Sequence, residues 1–164
     1  MNSTAKNLPL TIACDAMGGG LARWLRVLGV DTSYTPGIDD GTLVQQALAE
    51  DRIVISSDGK LFERRLFTTG ELRGLRLPVG LRLRAQVLYV GQHLALPLGP
   101  PRCSLCNGKL LPVSRAEVSD VVPARSLVWV RDFFRCQACE HVFWQGTHWR
   151  RINTLRQELE RLQI

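Results

Sequence analysis

The chain has 164 residues, enough for one well-buried α/β core and a small appendage, and its 45% hydrophobic and 22% charged residues exclude a disordered or fibrous protein. The formal charge of +6 is uneven: residues 1–100 carry 11 Lys/Arg against 9 Asp/Glu, and residues 101–164 carry 10 against 6. A basic balance made mostly of arginine favours a phosphate-rich partner, because guanidinium groups pair bidentately with phosphate oxygens and release counterions on binding.

The opening segment MNSTAKNLPL has no long apolar run leading to a small-residue cleavage site, so no secretory signal is expected. The longest stretch free of Asp, Glu, Lys and Arg, Ala85 to Pro101, is 17 residues and is broken by Gln, His, Gly and Pro, so no membrane span is expected. Next in the chain, Leu10 to Cys14 is an apolar run that stops at Asp15 and Gly18-Gly19-Gly20, the pattern of a buried strand entering a loop. Leu21, Trp24, Leu25 and Leu28 then mark one face of a helix, with Gly29 placed for a left-handed cap. Val30 to Thr35 reads as a second strand. Asp39-Asp40 stand where carboxylates cap a helix carrying Leu43, Val44, Ala47 and Leu48.

The β-branched run Arg52 to Ser56 predicts a third strand ending at Ser57-Asp58. Leu61 to Phe67 reads as helical, Leu75 to Val79 as a fourth strand, and Arg82 to Leu94 as a helix. Alternating strands and helices predict an α/β fold: a mainly parallel sheet flanked by helices, over residues 1–100. Leu98-Gly99-Pro100-Pro101 marks a boundary, after which Phe133 to Arg135 and His141 to Trp144 are short strands of a small zinc-ribbon domain spanning residues 101–150. Residues 151–164 hold a C-terminal amphipathic helix, drawn over Asn153 to Leu162.

Five cysteines are present, four of them in the pairs Cys103/Cys106 and Cys136/Cys139. Each CxxC places two thiolates on one tight turn, and two such turns complete the tetrahedral shell of a closed structural zinc site. A redox-active CxxC is the rival, but that chemistry uses a single motif at a strand-to-helix junction. The set suits metal binding in a reducing, cytoplasmic setting, and Cys14 reads as a small buried strand residue.

Asp15 follows the first strand, Asp58 the third, and Asp39-Asp40 the second. The carboxyl ends of parallel strands share one edge, so these acids are expected to converge there and to hold a hard divalent ion, Mg²⁺ or Mn²⁺. Taken singly, Asp39 or Asp40 is equally a helix cap and Asp58 a turn residue. Asp31 and Glu63 read as exposed acids. Arg23 and Arg26, off the apolar face of the first helix, are candidates to steer a phosphate backbone. Trp149 with Arg150 is a candidate stacking and charge surface for single-stranded nucleic acid, whereas Trp144 is assigned to the ribbon core.

The ordered set from Asp15 through the Leu21-Ala-Arg-Trp-Leu-Arg26 helix, Asp39-Asp40, Ile53 to Asp58, both cysteine pairs and Trp144-Gln-Gly-Thr-His-Trp149 resembles the Mut-seven C-terminal RNase domain family. The resemblance runs from about Leu10 to Arg150. It implies a PIN-like nuclease domain with an appended zinc ribbon, a metal site made by Asp15, Asp40 and Asp58 with Asp39 in support, and Ser57 as the small hydroxyl residue beside the metal-binding acid. Such nucleases often add an acid after the fourth strand, but no Asp or Glu lies between Glu71 and Glu117. The expected activity is metal-dependent hydrolysis of RNA. The alternatives are an RNA-binding protein without catalysis, or an interaction module for a ribonucleoprotein or toxin–antitoxin partner.

Overall fold

The computed structural model describes residues 9–163, so most of the segment read for a secretory signal lies outside the described residues. Strand β1 (Ile12–Cys14) leads into helix α1 (Gly19–Val27), β2 (Thr32–Ser33) into α2 (Asp40–Ala49), and β3 (Ile53–Ser56) through a 3-10 turn at Leu61–Glu63 into α3 (Arg65–Thr68). Strand β4 (Gly74–Arg76) and helix α4 (Leu83–His93) complete the first part of the chain. The four strands pair in parallel in the order β2-β1-β3-β4.

Strand periodicity divides the core between the two faces of this sheet. Ile12, Cys14 and Ile55 face a cluster with Leu21, Leu25, Leu28, Val87 and Val90, whereas Ala13 and Val54 face Leu43, Val44 and Ala47 from α2. The result is the expected parallel sheet flanked by helices. Helix α1 ends as expected: Gly29 has φ 96°, and a Cβ there would lie 2.6 Å from the Gly99 backbone. That close approach lets the returning chain seal the end of α1, with Gly99 N donating to Leu28 O at 3.1 Å.

Several boundaries differ from expectation. The second strand is two residues long, because only Thr32 and Ser33 reach the β1 ladder. The helical stretch from Leu61 is broken at Arg64, whose backbone is extended. The fourth strand begins at Gly74, one residue earlier than expected, and ends at Arg76.

The second part is an antiparallel sheet of β5 (Leu110–Val113), β6 (Phe133–Cys136) and β7 (Val142–Trp144) in the order β5-β6-β7. A 3-10 turn at Ala116–Val118 and helix α5 (Ala124–Trp129), which the sequence reading did not anticipate, fill the long gap between the cysteine pairs. They complete a small core of Val118, Val122, Val130, Phe133 and Val142, with Trp144 packed against it. Helix α6 (Trp149–Leu162) begins four residues before the expected Asn153, and its buried Leu155 and Leu159 belong to the core of the first part. Among the described residues no helix is long and apolar enough to cross a membrane.

Candidate active edge and metal-binding knuckles

In a sheet of order β2-β1-β3-β4 the chain reverses its direction of strand addition between β1 and β3. Ligand crevices form outside the carboxyl ends of strands at such switch points. Asp15 directly follows β1, and Ser56 and Asp58 end β3, so the sequence delivers its acids to that place.

The contacts there are specific. Ser56, 2% exposed, donates its hydroxyl to Asp15 Oδ2 and accepts the Asp58 N–H at 2.9 Å. Asp15 Oδ1 accepts from Met17 N at 3.0 Å, and Asp58 Oδ1 accepts from Lys60 N at 2.9 Å. Two acidic loops are thereby tied to one buried hydroxyl. Ser57, the hydroxyl expected to serve this role, is exposed. Every residue of β3 is buried, and the side chain that ends the strand, Ser56, makes these contacts while Ser57 lies in the loop beyond it.

The loops after β1, β2 and β3 also hold one another. Tyr34 Oη donates to Ala16 O at 3.3 Å, and its ring lies where a Cβ on Gly19 would fall, at 2.8 Å. Arg64 pairs with Asp40 at 3.5 Å, both side chains being 44% exposed. Asp39 caps α2: its carboxylate accepts Thr42 N at 3.0 Å and Thr42 Oγ1 at 2.6 Å, bonds that hold its pKa below the ordinary carboxylate value. On the far side of β3 the Arg76 guanidinium lies 2.7 Å from where a Gly59 Cβ would be, next to Asp58. Arg76 has no acidic partner among the described residues. The edge therefore offers carboxylates flanked by two arginines.

A second assembly lies at the other end of α1. Cys103, Cys106, Cys136 and Cys139 bring their Sγ atoms within 4.8 Å of one another, with Cys103 and Cys139 3.6 Å apart and Cys106 and Cys136 3.4 Å apart. These are not disulfides, whose sulfurs stand at about 2.05 Å. A tetrahedral shell with metal–sulfur bonds of about 2.3 Å sets its sulfurs at about 3.8 Å, close to the spacing seen. The donor chemistry fits a metal ion such as zinc. Burial opposes the Cys136 thiolate, but backbone N–H groups of Cys139 and Ala138 together with the Cys106 and Cys139 thiols outweigh it and bring the pKa down to about 7. Cys14, the fifth thiol, is pushed up to about 12 by burial and the neighbouring Asp15. Among the described residues the four cysteines are the only group of three or more such side chains gathered for an ion; Asp15, Asp40 and Asp58 stand apart.

A family comparison joins the two assemblies. The Mut7-C RNAse domain matches residues 11–156, most of the chain. The protein belongs to the Mut7-C RNAse domain family. No curated protein and no solved structure gives a significant match. In this family member the first knuckle is docked on the outer edge of β2. Asn107, with φ 69°, accepts the Thr32 N–H on Oδ1 at 3.1 Å and donates to Asp31 at 2.9 Å.

Arg26 is the other half of that joint, which overturns its assignment as an exposed phosphate contact. It is 3% exposed and donates to Thr32 O at 2.8 Å and to Ser104 O and Leu105 O at 3.0 Å each. Helical periodicity put it off the apolar face correctly, but the ribbon, not solvent, covers that face. Asp31, expected to be exposed, is instead clasped by Arg52 at 2.6 Å and Arg102 at 3.0 Å. Burial disfavours its charge, yet the hydrogen bonds from Arg52 and Asn107 and the two arginine charges prevail and lower its pKa. Arg23 and Arg150 are exposed, and Trp149 is half-buried at the start of α6.

Sequence reasoning missed Ser56 and Arg76. The run through Ser56 marked the end of β3, but no pattern along it shows that this hydroxyl meets Asp15 and the Asp58 N–H. Arg76 becomes visible only once β4 is placed beside β3 in register with Ser56.

Proposed function

We propose that this protein is a divalent-metal-dependent ribonuclease whose centre is the carboxyl edge of β1 and β3. Family membership supports a nuclease-type function. The observation that carries the reading is the Ser56 hydroxyl joining the Asp15 and Asp58 loops at the switch point of the sheet.

Hard carboxylate oxygens suit Mg²⁺ or Mn²⁺, and Asp15, Asp58 and Asp40 are the residues that would hold the ion, with Asp39 keeping the start of α2 in place. When bound, such an ion supplies neutralising charge to the phosphodiester and lowers the pKa of a water for in-line attack. The protein's own groups supply position. Ser56 fixes the Asp15 and Asp58 loops, so their carboxylates need not reorganise as charge develops. Arg64, which pairs with Asp40, and Arg76, whose guanidinium lies against Gly59, would hold the phosphate oxygens. The four cysteines hold a zinc ion that leaves no open coordination position and acts through structure. Such thiolates belong in a reducing setting, and we place the protein in the cytoplasm.

A second reading, RNA binding without cleavage, is favoured by two observations: Asp40 is engaged by Arg64, and the three acids are not gathered. Cleavage of mixed RNA with Mn²⁺ decides between them. Wild type should cut, while Asp15→Asn and Asp58→Asn should lose at least about a hundredfold in rate, the scale of losing a catalytic group. Equal cutting by the variants, or no cutting by any preparation, discards the nuclease.

A further inference from the structure

A groove of about 390 Å³ opens where the ribbon meets the end of α1 and the start of α6. That volume lies within the range of small-ligand sites. Its walls include Phe134, Trp144, His148, Trp149 and, from α1, Val27. No carboxylate lines it, in a chain with fifteen acids. We propose that this groove is a subsite for an unstacked base of single-stranded RNA, held beyond the point of cleavage; the proposal rests on the ribonuclease reading for its substrate and deepens it.

Three features select this occupant. First, the aromatic rings and imidazole of the lining offer flat faces, which suits sequence-tolerant stacking of a base. Trp149 and Trp144 are half-buried, so each keeps part of its ring available.

Second, the charge around the groove is complementary to a phosphate backbone. Arg150 is exposed beside Trp149 and no acid lines the wall, while Arg102, on the wall, is already paired with Asp31. Third, the groove is connected to the acidic edge by one element. Helix α1 starts four residues after Asp15 and reaches Val27 after nine, a rise of about 12 Å. Arg23 and Val27 are four positions apart and share one face of α1, and Arg23 is exposed. A strand leaving Asp15 along this face meets Arg23 first and the groove next. The reading thus gives Arg23, Trp149 and Arg150 a single task.

The test is binding to full-length, zinc-loaded Asp15→Asn protein without added Mg²⁺ or Mn²⁺, so that no cleavage enters the readout. The probes are an octamer of adenylate and an octamer of the same sugar–phosphate backbone lacking its bases. The adenylate octamer should quench tryptophan fluorescence and bind about tenfold or more tightly than the abasic one. Trp149→Ala, introduced into the same protein, should lower the affinity by about tenfold or more and bring it near the abasic value, whereas Trp149→Phe should keep most of it. Zinc content and circular dichroism establish that each variant is folded. The abasic comparison needs no change at Trp149, so a misfolded variant does not shield the proposal.

Equal affinity for the two octamers, equal affinity of Trp149→Ala and its parent, or binding of neither octamer overturns the proposal. Self-association through the groove in place of RNA binding overturns it too. The two readings fail separately. Base-dependent binding by a protein whose wild type cuts no RNA removes the nuclease and keeps the groove. Cleavage by wild type together with base-independent binding removes the groove and keeps the nuclease.

Discussion

Ser56 carries more consequence than its size suggests. Its hydroxyl is buried and holds two acidic loops, so Ser56→Ala strips Asp15 of a donor and leaves the Asp58 N–H without its acceptor. Losing such a group costs about 1–3 kcal/mol. The expected outcome is a lower urea midpoint together with slower cleavage, while Ser57→Ala, at an exposed position, changes neither. Arg26 makes the opposite prediction from the one its helical position suggested. Arg26→Met should destabilise the protein by about 2–3 kcal/mol through three abandoned carbonyls. Thermal unfolding with zinc analysis checks this, and RNA affinity per folded molecule should hold.

Asp31 gives a pH signature. Its folded pKa is below its unfolded value of 3.8, so its contribution is full above that value and disappears as the pH falls through the folded one. Wild type should therefore exceed Asp31→Asn in stability at pH 6, and the gap should close toward pH 2. Urea unfolding of both proteins across that range reads the gap directly.

Helix α6 shows how an element can belong to a neighbour distant in sequence. It follows the ribbon directly, yet Leu155 and Leu159 are buried against α1 and α4 in the core of the first sheet. A Cβ on Gly91 of α4 would collide with the Leu159 side chain, so the two helices meet at a glycine. Leu159→Ala should cost about 2–5 kcal/mol by opening a cavity. Gly91→Ala should be destabilising in wild type and much less so beside Leu159→Ala, a coupling that a double-mutant cycle measures. Arg156 strengthens the attachment by donating to Leu28 O at 3.2 Å and Gly99 O at 2.9 Å. The amphipathic pattern through Leu155, Leu159 and Leu162 was legible; which surface would receive it was not, because periodicity describes one face and never its partner. Helix α5 escaped notice for a related reason. Six residues are too few to establish a period, and it exists because Val118, Val122 and Val130 need a cover over the ribbon's thin core.

In the whole molecule the ribbon and the sheet are joined by a polar seam, Arg26, Asp31, Thr32, Arg102 and Asn107, placed directly under the first knuckle. Loss of the metal should therefore loosen the joint as well as the ribbon. Protein purified without chelator should carry about one zinc per chain. Its removal at neutral pH should lower the unfolding temperature and expose four thiols to a thiol reagent, the buried Cys14 reacting only on unfolding. Metal analysis with thiol titration checks the ratio.

Local order in the chain already specified the parallel α/β class, the four-cysteine group and the family, because strand–helix alternation, cysteine spacing and a run such as Leu21 to Arg26 are short-range patterns. It also delivered Asp15 and Asp58 to one edge, since acids that end parallel strands have nowhere else to go. Tertiary structure alone decided that Arg26 is a joint and not a phosphate contact, that Ser56 makes the contacts to Asp15 and Asp58, and that Arg76 stands in register with Ser56. Each of these depends on what another segment, tens of residues away, places against the side chain. Burial and partnership are properties of the packed chain, and no periodicity along one segment contains them.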